Sequence, residues 1–144
     1  MTKDAPDHLD ADLILKLYDL RREAGLREAR DQLTKEFWPR NAREAAAIVD
    51  YAHPLNRVYR QVSTYWEMVY RMARHGIIHG DFLVENNAEG LLLFARVEPY
   101  LAEMRAAGGA HLFENAEWVA REVPMGRSVA DRMRARVKKL LEGK

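Results

Sequence analysis

The sequence predicts an all-α protein, a single-domain bundle of about six to eight helices formed by residues 1–144. Three observations predict this fold class. Apolar residues recur at spacings of three and four along most of the chain, which is the period of an amphipathic helix. No segment alternates apolar and polar residues over the length of a strand. The segment from 56 to 75 is aromatic and apolar on one helical face and charged on the other, so other helices must cover it.

The first two helices are predicted from capping residues and from helix breakers. Residues 1–9 are expected to form a flexible tail, because the start of the chain is acidic and lacks an apolar segment. Asp10 suits the N-cap of the first helix, and Gly25 suits its end. The second helix is expected to stop at Trp38–Pro39, because the residue before a proline disfavours helical geometry.

A third helix and the long central helix are predicted on either side of a proline. Asn41 is expected to cap a helix that reaches Ala52, and Glu44 approximates a capping box with it. Pro54 predicts a break or a sharp kink, because proline removes one backbone donor and clashes with the preceding turn. The central helix then covers about residues 56–75, a rod about 29 Å long. Gly76 is expected to end it in the left-handed conformation.

The C-terminal half predicts four further helical segments. Asp81 is expected to begin a short helix. The next helix is expected to kink at Pro99, because its apolar stripe keeps the same phase across the proline, and to end at Gly108–Gly109. A shorter helix covers roughly residues 112–122. Ser128 is expected to cap the last helix.

The composition excludes several classes of protein. The 144 residues contain no cysteine, which rules out disulfides, thiolate catalysis and cysteine-ligated zinc. The longest apolar run, Leu91 to Ala95, is far shorter than the ~20 residues that a membrane span needs. Nothing at the start resembles a signal peptide. We therefore expect a soluble, cytoplasmic protein with no cofactor and no membrane partner.

Four aromatic residues of the central helix are candidate interface residues: Tyr59, Tyr65, Trp66 and Tyr70. Core packing within one chain explains most of this stripe. Tyrosine and tryptophan also suit half-wet interfaces, because each joins an apolar ring to a polar group. The function that we predict is therefore a helical protein–protein interaction or homo-oligomeric scaffold module, a homodimer in solution. Its partner would be a second copy of the chain or another protein.

The charges are distributed unevenly, although the formal net charge is only +1. Acidic residues predominate between 81 and 122 and basic residues from 123 onward, so the two segments could attract each other within one chain or between two. The candidate phosphate contacts in the basic segment are Arg132, Arg134, Arg136, Lys138 and Lys139. Nucleic-acid association through this helix is the alternative function. A packed terminal helix with ordinary dipole complementation explains the same residues.

A small-molecule or metal site is the second alternative. His75 and His79 are four residues apart, as two ligands on one helical face would be, and Asp81 follows them. The expected helix end at Gly76 interrupts this spacing. The sequence contains no Glu-x-x-His pair, no glycine-rich phosphate loop and no nucleophile elbow. We therefore assign no catalytic residue and no metal ligand, and we do not expect an enzyme.

The order of several residues is typical of one family. The pattern consists of an arginine-led helix at 43–52, the aromatic helix, Gly76 with Ile77 and Ile78, then Phe94, Pro99 and Arg105, and finally Phe113 with Glu114. Over about Leu13 to Glu122 the chain resembles a bacterial all-helical family catalogued only as a domain of unknown function. The resemblance implies the helical fold and provides no catalytic residues to transfer. Members of that family often carry an N-terminal membrane anchor, which this chain is expected to lack.

Overall fold

A computed structural model describes residues 3–143. Within these residues it contains nine α-helices and no strand. The helices are α1 (His8–Arg21), α2 (Ala24–Glu36), α3 (Ala42–Ala47), α4 (Asn56–Arg74), α5 (Gly80–Asn86), α6 (Glu89–Val97), α7 (Leu101–Gly108), α8 (Glu114–Glu122) and α9 (Pro124–Glu142). A 3₁₀ turn, Glu98–Tyr100, joins α6 to α7, so the chain bends at Pro99 and stays helical. Counted as one bent helix, α6 and α7 reduce the number to eight, and the predicted all-helical bundle is confirmed.

Helix α4 is the central element of the bundle. It packs against α2 on one side and α8 on another, while α9 packs against α6, α8 and α5. The apolar face of α4 is covered by these helices, and Tyr65, Trp66 and Val69 are 7%, 3% and 0% exposed. The prediction of a long central amphipathic helix is therefore confirmed. No helix in the described part of the chain has both the length and the apolarity needed to cross a bilayer.

The predicted end of α4 is also confirmed. Gly76 has a φ of 72°, the left-handed conformation that glycine adopts without steric cost. The N–H of Gly76 donates to the carbonyl of Ala73 at 3.0 Å, and the N–H of Ile77 donates to the carbonyl of Met72 at 2.9 Å. These two bonds form a Schellman motif, which satisfies the last free carbonyls of the helix.

The N-terminal boundaries differ from those predicted. Helix α1 begins at His8, inside the predicted tail of residues 1–9, whose first two residues lie outside the described part of the chain. Its N-cap is Asp7, and Asp10 completes the capping box instead of capping the helix itself. Gly25 lies in the first turn of α2, because the Glu23 carboxylate accepts the backbone N–H groups of Gly25 and Leu26, each at 2.9 Å.

The region around Pro54 contains the predicted break. Asn41 caps α3, as predicted, by accepting the N–H of Glu44 at 2.9 Å. Helix α3 ends at Ala47, five residues before the predicted end at Ala52, and turns fill the interval before α4. One reason is that buried Asn56 donates from its side chain to the carbonyl of Ile48 at 2.7 Å, so a side chain of α4 satisfies this carbonyl in place of a longer α3.

The last helix begins five residues earlier than predicted. Its first residue is Pro124 rather than the residue after Ser128, because proline is well suited to the first helical position. The free N–H of Met125 is accepted by the Asp81 carboxylate of α5 at 2.8 Å. This cap comes from a helix that is distant in sequence, so no local pattern in the sequence could indicate it.

A buried arginine without a carboxylate partner joins α6 to the end of α2. Arg96 is 5% exposed, and its Nη1 donates to the carbonyls of Leu33 and Phe37 at 3.0 and 2.7 Å. The guanidinium carbon lies 4.9 Å from the centre of the Trp38 ring. Burial lowers the pKa of Arg96 to about 10, so the group remains charged at neutral pH. The terminal carbonyls of α2 therefore compensate this charge.

We expect the volume of Arg96 to matter more for stability than its charge. Arg96→Ala should lower the free energy of unfolding by about 3–4 kcal/mol, because it leaves a cavity next to Trp38. Arg96→Met fills most of that space and should cost less than about 2 kcal/mol, as other apolar replacements of buried charges do. Urea denaturation of both variants measures the difference. Equal losses would show that the guanidinium hydrogen bonds dominate instead.

Candidate functional site

The four predicted interface residues lie inside one chain. Tyr59, Tyr65, Trp66 and Tyr70 are 7% exposed or less. The Tyr65 hydroxyl donates to the carbonyl of Leu17 at 2.7 Å, and the Tyr70 hydroxyl donates to the carbonyl of Asn87 at 2.8 Å. These side chains offer no outer surface to a second protein chain while the chain is folded. The interface assignment for them is therefore corrected to core packing, and any contact surface must lie elsewhere.

The predicted basic contacts lie on α9 in two different environments. Arg134 forms a bidentate ion pair with Glu98 at 2.6 and 2.9 Å and contacts Asp131 at 2.9 Å. The other four residues are exposed: Arg132, Arg136, Lys138 and Lys139. Their spacing places Arg132, Arg136 and Lys139 on one stripe of the helix and Lys138 to one side. The pair between Arg134 and Glu98 shows that the basic and acidic segments attract each other within one chain.

The histidines near Gly76 do not share a helical face. His75 is the C-cap of α4, whereas His79 is the N-cap of α5 and accepts the N–H of Phe82 at 3.1 Å. The Asp81 carboxylate accepts a hydrogen bond from the backbone N–H of Met125. Among residues 3–143, no group of three or more His, Asp or Glu side chains is placed to hold a metal ion.

Helix α1 carries an unusual amount of exposed apolar surface. Its inner face packs Ile14 and Leu17 into the core. Four of the seven large hydrophobic residues that are exposed in the described chain belong to this one helix: Leu9 (57%), Leu15 (65%), Tyr18 (46%) and Leu20 (53%). Helical geometry places Leu9 and Leu20 on one flank of the inner face and Leu15 and Tyr18 on the other. Helix α1 thus exposes apolar side chains on both flanks of its inner face, with Asp12, Lys16 and Asp19 between these flanks on the outer side. Such exposed apolar surface is typical of a helix with a further neighbour.

The two ends of α1 have opposite charge. Asp7 and Asp12 lie near its start, and Arg21 and Arg22 lie at its end. The guanidinium carbons of both arginines lie over the Tyr18 ring, at 5.3 and 5.4 Å from its centre. The flank formed by Ala11, Leu15, Tyr18 and Arg22 follows the 4-3-4 spacing of a helix-pairing seam. We call these four residues the α1 strip.

A cavity of about 170 Å³ forms a second candidate site, between α4 and the turn before α8. Its walls are Tyr59, Ser63, Thr64, Glu67 and Arg71 from α4, with His111, Leu112 and Phe113 from the turn. The Tyr59 hydroxyl is buried and has no hydrogen-bond partner among residues 3–143. Burial raises the pKa of Tyr59 to about 12, with a smaller contribution from Glu67. The hydroxyl is therefore neutral, and it can donate or accept one hydrogen bond inside the cavity.

Glu67 forms part of the cavity wall and caps α8. Its carboxylate accepts the backbone N–H groups of Asn115 and Ala116 at 3.0 and 2.8 Å. No residue of α8 itself provides a side-chain cap. Burial raises the pKa of Glu67, in opposition to these hydrogen bonds, which lower it. The carboxylate is thus committed to the positive end of the α8 dipole.

The turn that closes the cavity is held in a strained conformation. Phe113 has a φ of 59° and a ψ of 19°, and it is the one residue other than glycine with positive φ in the described chain. Bulky side chains rarely adopt this conformation, which costs about 1–3 kcal/mol. The Phe113 ring is 6.2 Å from the Tyr59 ring, so packing against α4 stabilises the turn. This geometry fixes the position of the aromatic wall.

The sequence interpretation missed both candidate sites. The α1 strip was detectable, because Leu15 and Tyr18 lie outside the apolar stripe that packs α1 on the core. The cavity was not detectable, since Glu67 and Phe113 are 46 residues apart in the sequence and meet only through the packing of α8 on α4.

Comparison with known proteins identifies the family of the chain. The sequence profile of DUF4760, described as a domain of unknown function, matches residues 6–123. No curated protein and no solved structure matches the chain. The match covers most of the chain and includes α1, the central helix and the cavity, and it agrees with the resemblance found over about Leu13 to Glu122. The chain belongs to the DUF4760 family of domains, whose biochemical function is unknown.

Proposed function

We propose that this protein is a helical interaction module that self-associates through the α1 strip. The observation that carries the proposal is the exposure of Leu15 and Tyr18, 65% and 46%, on a helix that already has a complete inner face. Leu15 lies at the middle of α1 and is its most exposed apolar side chain. A two-fold axis at Leu15 would place α1 against α1 of a second copy in antiparallel orientation.

The charges of α1 favour this orientation. Antiparallel pairing brings the acidic start of one α1, with Asp7, opposite the basic end of the other, with Arg22. It also aligns the two helix dipoles favourably. Parallel pairing would place like charges side by side, which disfavours it. The occupant of the strip is therefore a second copy of this chain.

The expected affinity is modest. Covering Leu15 and Tyr18 in both copies removes apolar surface from water, which favours the dimer by a few kcal/mol. The loss of translational and rotational freedom on association offsets part of this gain. A single helix pair is a small interface of the weak, transient class. We expect a dissociation constant on the order of 100 µM. Dimers should therefore appear in the upper part of a concentration series and dissociate in the lower part.

Leu15→Ser is expected to abolish the dimer without unfolding the chain. Sedimentation velocity from about 10 µM to about 1 mM should show a concentration-dependent shift for the original protein and none for Leu15→Ser. Two matched controls keep the dimer: Leu20→Ser, on the other flank of α1, and Leu140→Ser, on α9. Arg22→Glu should weaken it at least severalfold, because the partner's acidic helix start would then repel it.

Three results would refute the proposal. The first is a monomer at every concentration. The second is an equal loss of association in Leu20→Ser or Leu140→Ser, which would show a different or unspecific surface. The third is a dimer that Leu15→Ser leaves intact. The unfolding transition of each variant, measured by circular dichroism, separates lost association from lost folding.

Nucleic-acid binding by α9 receives less support from the structure. Arg134, one of the five residues of the predicted contact set, is paired with Glu98. The remaining stripe of Arg132, Arg136 and Lys139 offers three charges over about 10 Å of helix. Three phosphate contacts give weak binding with a shallow dependence on salt. The apolar strip of α1 is therefore the stronger basis for a function.

A further inference from the structure

The cavity between α4 and the turn before α8 has the size of a site for one aromatic ring. Its volume is about 170 Å³, close to that of cavities of about 150 Å³ that accept benzene. Leu112 and the ring of Phe113 supply apolar walls. The strained backbone of Phe113 fixes one of these walls. The cavity is therefore large enough to hold a flat molecule of one ring.

An unpartnered hydroxyl identifies one polar group of the ligand. Tyr59 lines the cavity, and its hydroxyl is buried and has no hydrogen-bond partner in the described chain. A buried hydroxyl without a hydrogen bond is destabilising, so a ligand group that bonds to it should bind more tightly than one that does not. Ser63, one helical turn further along α4, adds a second hydroxyl to the same wall. A ring substituent that both donates and accepts, such as a hydroxyl, satisfies this end of the cavity.

The charges of the wall identify the other group. Arg71 lies on the wall, is exposed and forms no ion pair in the described chain. The negative charge of Glu67 faces the N–H groups of Asn115 and Ala116, so it is already compensated by α8. His111 adds an imidazole, which can donate a hydrogen bond, to the same wall. Arg71 also attracts Glu67, one helical turn away, but its guanidinium is exposed and remains open to a ligand carboxylate, which guanidinium groups bind well.

We propose that this cavity binds a small aromatic acid, a single ring with a carboxylate at one end and a hydroxyl at the other. The carboxylate binds Arg71, the ring packs between Leu112 and Phe113, and the hydroxyl binds Tyr59. This site is separate from the α1 strip, so it does not depend on self-association.

The test uses 4-hydroxybenzoate as the probe and the full chain as the protein. Titrations followed by amide NMR shifts should show binding in the millimolar range, as expected for so small a ligand. Benzoate should bind several times more weakly, because it leaves the Tyr59 hydroxyl without a partner. 4-Hydroxybenzyl alcohol should bind at least about 10-fold more weakly, because it lacks the charge that Arg71 recognises.

Two variants separate the contacts. Tyr59→Phe should weaken the binding of 4-hydroxybenzoate several-fold and leave the affinity for benzoate unchanged, because only 4-hydroxybenzoate bonds to the Tyr59 hydroxyl. Arg71→Gln should weaken both acids about 10-fold. Arg74→Gln is the matched control, since Arg74 is also an exposed arginine of α4 and does not line this cavity. It should leave both affinities unchanged.

Several outcomes would overturn the proposal. One is the absence of amide NMR shifts in the residues of the cavity at about 20 mM probe, a concentration about tenfold above the expected dissociation constant. Another is an equal loss of binding in Arg71→Gln and Arg74→Gln, which would show unspecific attraction to the surface. A third is tighter binding of 4-hydroxybenzylamine than of 4-hydroxybenzoate, which would mean that Glu67 rather than Arg71 sets the charge preference.

Discussion

Gly126→Ala is expected to lower the free energy of unfolding by about 3–5 kcal/mol. Gly126 lies in the first turn of α9, where α9 turns back against α8. A Cβ atom at this position would be 2.0 Å from the carbonyl oxygen of Val119 and 2.8 Å from its carbonyl carbon. Both are backbone atoms, so no side-chain rotation relieves the overlap. The two helices would have to move apart, and buried contacts between α8 and α9 would be lost.

Chemical denaturation followed by circular dichroism measures this loss. Gly143→Ala is the matched control, because a Cβ there has no contact closer than 3.7 Å and should change stability by less than about 0.5 kcal/mol. Loss of less than about 1 kcal/mol in Gly126→Ala would show that α8 and α9 can separate at low cost. The close packing of these two helices would then not be an important source of stability.

Asp10→Ala should have the second largest effect, a loss of about 3 kcal/mol. The side chain of Asp10 is fully buried. Its carboxylate accepts the N–H of Asp7 at 2.9 Å, the N–H of His79 at 3.1 Å and the ammonium of Lys3 at 3.0 Å. Alanine leaves these donors without an acceptor, and it disconnects the start of α1 from the start of α5. Exposed Asp12, on the same helix, is the control, and Asp12→Ala should be nearly neutral.

The same carboxylate should make stability depend on pH in the acid range. Burial by itself opposes ionisation of Asp10, but the hydrogen bonds from Asp7, Lys3 and His79 outweigh it and lower the pKa. The unfolded chain binds this proton near pH 3.9, and the folded chain binds it only at lower pH. The contribution to stability is therefore complete above about pH 5, declines as the unfolded chain begins to bind the proton, and is lost as the pH falls through the folded pKa.

Urea denaturation at a series of pH values below about 5 tests this sign. The difference in unfolding free energy between the original protein and Asp10→Ala should shrink as the pH falls. A difference that stays constant down to about pH 2 would show that the pKa of Asp10 is not lowered in the folded state.

Local pattern was sufficient to predict which segments are helical. The central helix and its end at Gly76 depend on periodicity and on one glycine, which are properties of the segment itself. The cap at Asn41 and the bend at Pro99 are local in the same sense, because each depends on groups within one helical turn. The start of α9 could not be predicted from local pattern, because Asp81 of α5 accepts the N–H of Met125 from a distant part of the sequence.

The candidate sites depended on which helices meet. Periodicity showed that Trp66 and its neighbours are covered, but core packing and subunit contact both cover a side chain, so the pattern alone could not distinguish them. The structure places these rings in the core and places the exposed apolar surface on α1 instead. The cavity requires α8 to lie against α4, which no segment of the sequence encodes by itself.

By itself, the sequence determined the fold class, the central helix and the family, because helical periodicity, prolines and glycines act over a few residues. Only the tertiary structure decided that Asp10 is buried, that Arg96 is compensated by carbonyls, and that Tyr59 borders a cavity. These facts depend on contacts between groups far apart in the chain. The physical reason is that burial and hydrogen bonding depend on the groups that are near in space. The identity of a residue does not specify these neighbours.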